Sequence, residues 1–390
     1  MPGDLILNDE SFQIRSAAGS GAQAADLIIT PWREWASAPA CAAWDALADG
    51  LSTPNPFFES WFLLPSLARF DPEGKVRIAS QSGPDGLEAL MPIQRARRYG
   101  RYLLPHLSVW LHANAFLGAP LVKAGSEVVF WEALFDWADR TAGTALFLHV
   151  PALPLDTPLA DALVAVSARQ SRHIAMVHRE ERAMLASPLA PAAYLEQAVP
   201  AKKRKEFRRQ QARLAELGAL TFTRQQDAQE IAGWTEHFLA LEARGWKGSA
   251  GSALASAPET AGLFRKAMAS AAARGRLERL SLDLDGTPIA MLATLIAPPG
   301  AFSFKTGFDE KFARFSPGVL LQLENLALLE RAGIDWTDSC AVQGHPMIDS
   351  LWRERRALGR FSIAIGGTTR RTLFERLVSY ELSRNPAGLP

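Results

Sequence analysis

Two patterns alternate along the chain, apolar residues at helical spacing and apolar residues in alternation or short unbroken runs. In the first half a strand DLIIT begins at Asp26, and helical segments follow at Cys41–Leu51 and Phe57–Phe70. KVRIAS and LEALMPIQRARR, separated by a turn at Gly83–Gly86, predict a β-hairpin. Glu127–Thr141 places Phe130, Leu134 and Trp137 on one helical face. A strand ALFLHV, a helix near Leu159–Gln170 and a strand near His173–Arg179 end this half.

The second half follows a similar plan. A basic helix is expected from about Ala192 to Leu217, stopped by Gly218. A strand LTFTR and helices near Asp227–Ala243 and Pro258–Arg274 come next. LERLSLDL and TPIAMLATLI flank Asp285-Gly286, a strong hairpin signal. The strand Ala301–Asp309, a helix Val319–Ala332, the strand IDWTDSC, a helix around Ile348–Leu358 and a strand FSIAI complete the plan. Each half thus reads hairpin, strand, helix, strand, helix, strand, a repeat of pattern rather than of residues.

Composition narrows the class. With 390 residues there is room for two domains, and 48% apolar content makes the chain globular. The 42 basic and 41 acidic residues nearly cancel, which argues against bulk nucleic-acid binding. Cys41 and Cys340 stand far apart and give neither a metal pattern nor a disulfide framework, which fits a reducing compartment. No secretory signal is visible, and Tyr102–Val122, the most membrane-like stretch, is interrupted by Pro105, His106, His112, Asn114 and Pro120. A cytoplasmic protein is expected, with the basic helix and the amphipathic C-terminal segment as candidates for peripheral contact with an inner membrane.

The candidate chemistry concentrates in Phe302–Asp349. The loop Lys311–Gly318 is basic and opens an apolar helix at Ser316-Pro317-Gly318, so backbone N–H groups beside Arg314 and Lys311 form a phosphate seat. The next strand delivers Asp338, Ser339 and Cys340, and His345 follows. A phosphate seat beside polar strand ends suggests a transferase fed by a phosphate-bearing carrier. Asp338 and His345 are the candidates to take a proton from an amine acceptor; Asp338 capping or pairing with Arg353 or Arg355 is the structural alternative. Two-residue alternation puts Lys305 on the side of Ser303 and Gly307, away from Phe302, Phe304, Thr306 and Phe308.

These segments, AKKRKEFRRQQARLAELG, FLALEARGWKG, FSFKTGFDEKFARFSPGVLL and DSCAVQGHPMIDSLWRERR in this order and spacing, resemble the GNAT acyltransferase superfamily, and within it the CelD-like or FemAB-like branch with two tandem domains. The resemblance spans about residues 30–365. It implies an α/β fold of two tandem GNAT-like domains, each a mixed, mostly antiparallel sheet flanked by helices. The division expected is a flexible tail at 1–25, domains at 26–190 and 191–366, and an amphipathic helix and tail at 367–390.

The resemblance also implies a coenzyme A thioester as co-substrate, with no permanently bound cofactor and no metal. Its donor would be held by Arg314, Ser316, Gly318 and Val319, and the acceptor by Glu242, Trp246, Lys247 and Lys305. The usual glycine-rich loop of GNAT enzymes is absent here, which leaves carrier-protein and aminoacyl-tRNA donors open beside acyl-CoA. The activity implied is N-acylation of a primary amine on a bacterial envelope component, either a long-chain sphingoid-type lipid amine or an amino sugar of an exopolysaccharide precursor. Peptidoglycan-type aminoacyl transfer, or a catalytically silent protein binding a cyclic dinucleotide, are the alternatives.

Overall fold

The computed structural model describes residues 26–384, so the tail expected at 1–25 and the terminal residues 385–390 lie outside the described residues. The first half runs β1 (Ile28–Pro31), α1 (Ala38–Ala48), α2 (Ser60–Phe70), β2 (Arg77–Gly83), β3 (Gly86–Ala96), β4 (His106–Val109), β5 (Leu121–Val122), α3 (Glu127–Thr141), β6 (Phe147–Pro154), α4 (Pro158–Arg169) and β7 (Ile174–Leu185). The second half runs α5 (Pro191–Ala198), α6 (Ala201–Ala215), β8 (Leu220–Gln225), α7 (Ile231–Arg244), α8 (Trp246–Ser249), α9 (Pro258–Ala273), β9 (Leu277–Leu284), β10 (Thr287–Ala297) and β11 (Gly300–Phe308). It continues through α10 (Pro317–Glu324), β12 (Trp336–Asp338), β13 (Glu354–Ala364) and α11 (Thr368–Arg384).

Apart from β5, which pairs with β3, the strands form one sheet in the order β1-β2-β3-β4-β6-β13-β7-β12-β11-β10-β9-β8. Its two wings correspond. Each has three antiparallel pairings and then a short parallel one, β4 with β6 in the first wing and β11 with β12 in the second. Between the wings lie β13 and β7, exchanged across the middle. β13 pairs with β6 of the first half, and β7 pairs with β12 of the second. The final strand of each half therefore completes the other half's wing, and neither wing can leave without breaking ladder hydrogen bonds.

Helices α1, α2, α3, α4, α7 and α9 cover one face, burying Trp44, Phe62, Phe130, Leu159, Phe238 and Phe264 in a continuous core. The opposite face carries α5, α6, α10 and α11 over three smaller clusters. The covered faces explain why the central strands read as unbroken apolar runs, TPIAMLATLI above all.

Three sequence expectations change. The basic helix is two helices, because Pro200 has no N–H and its predecessor Val199 is extended. The helix expected to Ala332 leaves α-geometry after Glu324 and continues as a 3-10 segment, Asn325–Glu330. The helix expected at Ile348–Leu358 is one 3-10 turn, Ile348–Ser350, and Glu354–Leu358 instead begins β13, where pairing with β7 outweighs local helix propensity.

Candidate functional site

The polar centre lies where β11 and β12 part. They pair in parallel only from Gly300 to Phe302 against Trp336 to Asp338, after which β11 runs on to Phe308 paired with β10 but not with β12. Gly300 makes the pairing possible: a Cβ there would lie 2.2 Å from the Trp336 ring.

Along its other edge β11 carries a β-bulge. Ala293 of β10 opposes Lys305 while the next residue, Thr294, opposes Ser303, so Phe304 is the extra residue. Bulges re-aim side chains, and this one overturns the simple alternation. Ser303 and Thr306 face Gln322 of α10, 3.4 and 3.5 Å from its amide nitrogen. Lys305 turns to the opposite face, its Nζ 5.1 Å from the centre of the Phe116 ring and 5.4 Å from that of Phe304. Those rings belong to an aromatic cluster that the two halves build together, with Phe57 and Phe62 from the first half.

Lys305 is the odd charge of this centre. Lys247 Nζ donates to Glu242 Oε1 at 2.7 Å, Arg182 to Glu180 at 2.9 Å, and Arg356 lies 3.5 Å from Asp338. Each of those cations has a carboxylate; Lys305 has no hydrogen bond or ion pair among the described residues. Burial, with the nearby Lys247 charge, lowers its pKa to about 8. Lys305 is half-buried, and an unpaired ammonium partly withdrawn from water is costly.

The expected acceptor residues partly converge. Glu242 is buried, takes Lys247 on one oxygen and the Leu254 N–H on the other at 2.8 Å, while Lys247 also donates to the Thr306 carbonyl at 3.2 Å. This pair fastens α7 and α8 to β11 immediately beside Lys305. Trp246 opens α8, and its side chain lies outside the described residues.

Asp338 is wholly buried. Its Oδ1 accepts the Cys340 N–H at 2.8 Å and its Oδ2 faces Arg356, not Arg353 or Arg355. A carboxylate engaged on both oxygens and closed to solvent is built to position Arg356 and the left-handed turn at Cys340 (φ 53°) rather than to take a proton from a substrate. The Cys340 thiol is pushed up strongly by burial, which leaves it unreactive. His345 sits in the loop after β12, its Nδ1 buried without a partner, and the structure gives no contact between it and Asp338.

The donor residues gather at the start of α10. Ser316 adopts a left-handed conformation (φ 54°) and its carbonyl takes the Val319 and Leu320 N–H groups at 2.9 and 3.1 Å. Pro317 has no N–H, so the Gly318 N–H is the free donor of this first turn among the described residues. The glycine serves packing as well, since a Cβ on Gly318 would lie 3.3 Å from Phe308 and 3.5 Å from Met347. Arg314 is exposed over the Phe315 ring, and Val319 is partly buried.

Residues that sequence reasoning passed over complete the centre. Arg182 donates to the Phe116 carbonyl at 2.9 Å and fixes the aromatic lip opposite Lys305. Arg356 lies over the Trp336 ring at 4.2 Å. The run Arg179-Glu180-Glu181-Arg182, four charges inside a strand, was the available signal. Among the described residues no group of three or more His, Cys, Asp or Glu is placed to hold a metal ion, and no helix is long and apolar enough to cross a membrane.

Comparison with known proteins fits this geometry. Residues 201–344 match the acetyltransferase (GNAT) domain family. Among solved structures, FemX aligns over 86% of this chain and 97% of its own, with a TM-score of 0.55 at 9% identity. A conserved protein of unknown function from Bacteroides thetaiotaomicron aligns over 83% and 97%, with a TM-score of 0.52 at 11% identity. A tandem GNAT protein from the clavulanic acid biosynthesis pathway aligns over 88% and 100%, with a TM-score of 0.42 at 14% identity. No curated protein matches. Residues 201–344 thus resemble a GNAT-type acetyltransferase domain, and the chain as a whole shares the fold of FemX.

Proposed function

We propose that the protein transfers an acyl group from a coenzyme A thioester to a primary amine. The observation that carries this reading is Lys305: an unpaired, half-buried ammonium, aimed by a bulge away from α10 and toward the aromatic lip, beside the strands that part. In the reaction the amine nitrogen bonds to the thioester carbon, the C–S bond breaks, and the thiol leaves with a proton balancing the one the amine loses. Negative charge collects on the carbonyl oxygen in between, and a preorganised donor in a water-poor site stabilises it most. Lys305 supplies that donor. The Glu242–Lys247 clamp holds β11 so that the ammonium stays in place. The free Gly318 N–H, with Ser316 and Val319 beside it and Arg314 at the exposed edge, receives the carrier's phosphates.

The acceptor we favour is an amine of a cell-envelope component, either a long-chain lipid amine of sphingoid type or an amino sugar. The half-buried Phe116 ring, 5.1 Å from the Lys305 Nζ and backed by the core rings of Phe57 and Phe304, supports an apolar partner beside the reacting carbonyl. The test is direct: incubate the protein with acetyl-CoA or palmitoyl-CoA and either sphinganine or glucosamine, then follow thiol release and the amide by mass spectrometry. Lys305→Met should lower kcat by about 100-fold or more, with coenzyme A affinity held within about threefold. Unchanged turnover in that variant removes Lys305 from the chemistry. Failure of the unaltered protein to bind any acyl-CoA in calorimetry, together with binding of a cyclic dinucleotide, makes it a silent binding protein.

A further inference from the structure

A cavity walled by both halves lies away from Lys305, on the sheet face opposite α3 and α4. It encloses about 870 Å³ between β6, β7 and β13, the loop before β4 and the helix α11. That volume suits a ligand of drug or single-chain lipid size. Phe147, Val177, Phe374, Leu377 and Val378 form apolar walls. The polar groups inside are paired with one another. Tyr99 donates to Glu381 at 2.8 Å, and burial raises the Glu381 pKa. His149 meets Ser362 at 3.2 Å, and burial holds its pKa down at about 3, so the imidazole is uncharged.

The edge of the cavity differs from its interior. Arg101, Arg360 and Arg384 are exposed lining residues, and none has a carboxylate partner among the described residues. Glu381, already bound to Tyr99, is the one acid of the lining. Beside these arginines stand exposed apolar side chains, Leu103 at 71%, Tyr380 at 55% and Tyr102 at 48% exposure. Three cations and apolar tips around an apolar-walled chamber are complementary to one kind of molecule.

We propose that this cavity is a binding site for a single-chain amphiphilic anion, its chain inside the chamber and its carboxylate or phosphate at Arg101, Arg360 and Arg384. The helix α11 forms one wall and is pinned at its start, where Arg371 meets Asp139 at 2.9 Å and Arg370 donates to the Gly143 carbonyl at 2.7 Å. The chamber is thus built into the fold and does not depend on a ligand to shape it.

Calorimetry with monomeric dodecanoate and dodecyl phosphate tests the site on the full chain, and sedimentation with phosphatidylcholine vesicles, with and without phosphatidylglycerol, tests where the ligand comes from. Both free anions should bind. The double variant Arg360→Glu, Arg384→Glu should weaken them by about tenfold or more, and Leu377→Trp, which fills the chamber, should abolish binding while leaving the thermal midpoint and circular dichroism intact. Dodecanol, without a charge, should bind at least about tenfold more weakly. Vesicle binding that needs phosphatidylglycerol and is lost in the double variant assigns the source to a membrane; free-anion binding without vesicle binding assigns it to a soluble lipid. No binding of either anion, equal binding of dodecanol, or an unaffected Leu377→Trp variant with native melting overturns the proposal.

Discussion

The two wings of the sheet contain the same parallel strand pair and use it in opposite ways. In the first wing β4 meets β6 at Leu107–Leu148 and Ser108–His149, and the titratable groups at that pair are two histidines. His106 stacks on Phe147 at 4.9 Å, and burial lowers the pKa of both imidazoles. In the second wing β11 meets β12 over a similar stretch, but there the pair is surrounded by Lys305, Arg356 with Asp338, and Lys247 with Glu242. A fold that tolerates a neutral filling in one copy has no architectural need for charge in the other. The charge is therefore what the proposed chemistry in the second wing rests on.

Breaking the charged wing should have the largest effect. Asp338→Ala leaves Arg356 buried without its carboxylate, and should destabilise the protein by about 3–5 kcal/mol in urea unfolding. Loss of under ~1 kcal/mol would show that Arg356 finds another partner and that the centre is softer than its geometry indicates.

The seam between the wings gives the next effect. Glu59 is buried, accepts from Trp61 Nε1 at 2.7 Å and lies 3.6 Å from Arg276 of the second half. Burial raises its pKa from 4.5 to about 7. The folded state then holds the proton longer than the unfolded one, so stability is greatest below the unfolded value and is lost as pH rises through the folded value. Glu59→Gln should be more stable than the parent above about pH 7 by ~1–3 kcal/mol, the gap closing as pH falls toward 4.5. A gap that stays constant with pH would remove Glu59 as the cause.

The neutral wing should respond least and with the opposite sign. The folded-state pKa of His149 lies near 3 and its ordinary value is 6.5, so the unfolded chain binds the extra proton first and acid destabilises. From pH 6.5 to about 5 that term amounts to ~2 kcal/mol, and His149→Phe should flatten this part of the stability profile without moving turnover at neutral pH. A drop in turnover would mean that the two wings are coupled through β13 and β7.

Much of this is legible in the sequence. Asp285-Gly286 and the Gly83–Gly86 turn mark hairpins that the structure contains, because such turns are set by a few residues. Glu127–Thr141 is a helix over the same residues in both readings. The strand exchange was hidden, since which half a final strand joins depends on pairing between residues far apart in sequence, such as Ser362 with His149. The face of Lys305 was hidden for a different reason: one bulged residue reverses every inference from alternation beyond it. Asp338 was found as a strand-end carboxylate, but its partner Arg356 lay in a segment read as helix, so the pair that encloses it could not be drawn.

Lys305 stands in the charged wing as an unpaired, half-buried ammonium with a lowered pKa. Labelling the lysine side chains with ¹³C and titrating the Cε resonance of Lys305, assigned by its loss in Lys305→Met, tests it without any substrate. The predicted midpoint is about 8, against the ordinary 10.5. A midpoint at or above the ordinary value would mean that Lys305 reaches solvent or a carboxylate, and its assignment as the oxyanion donor would then be contradicted.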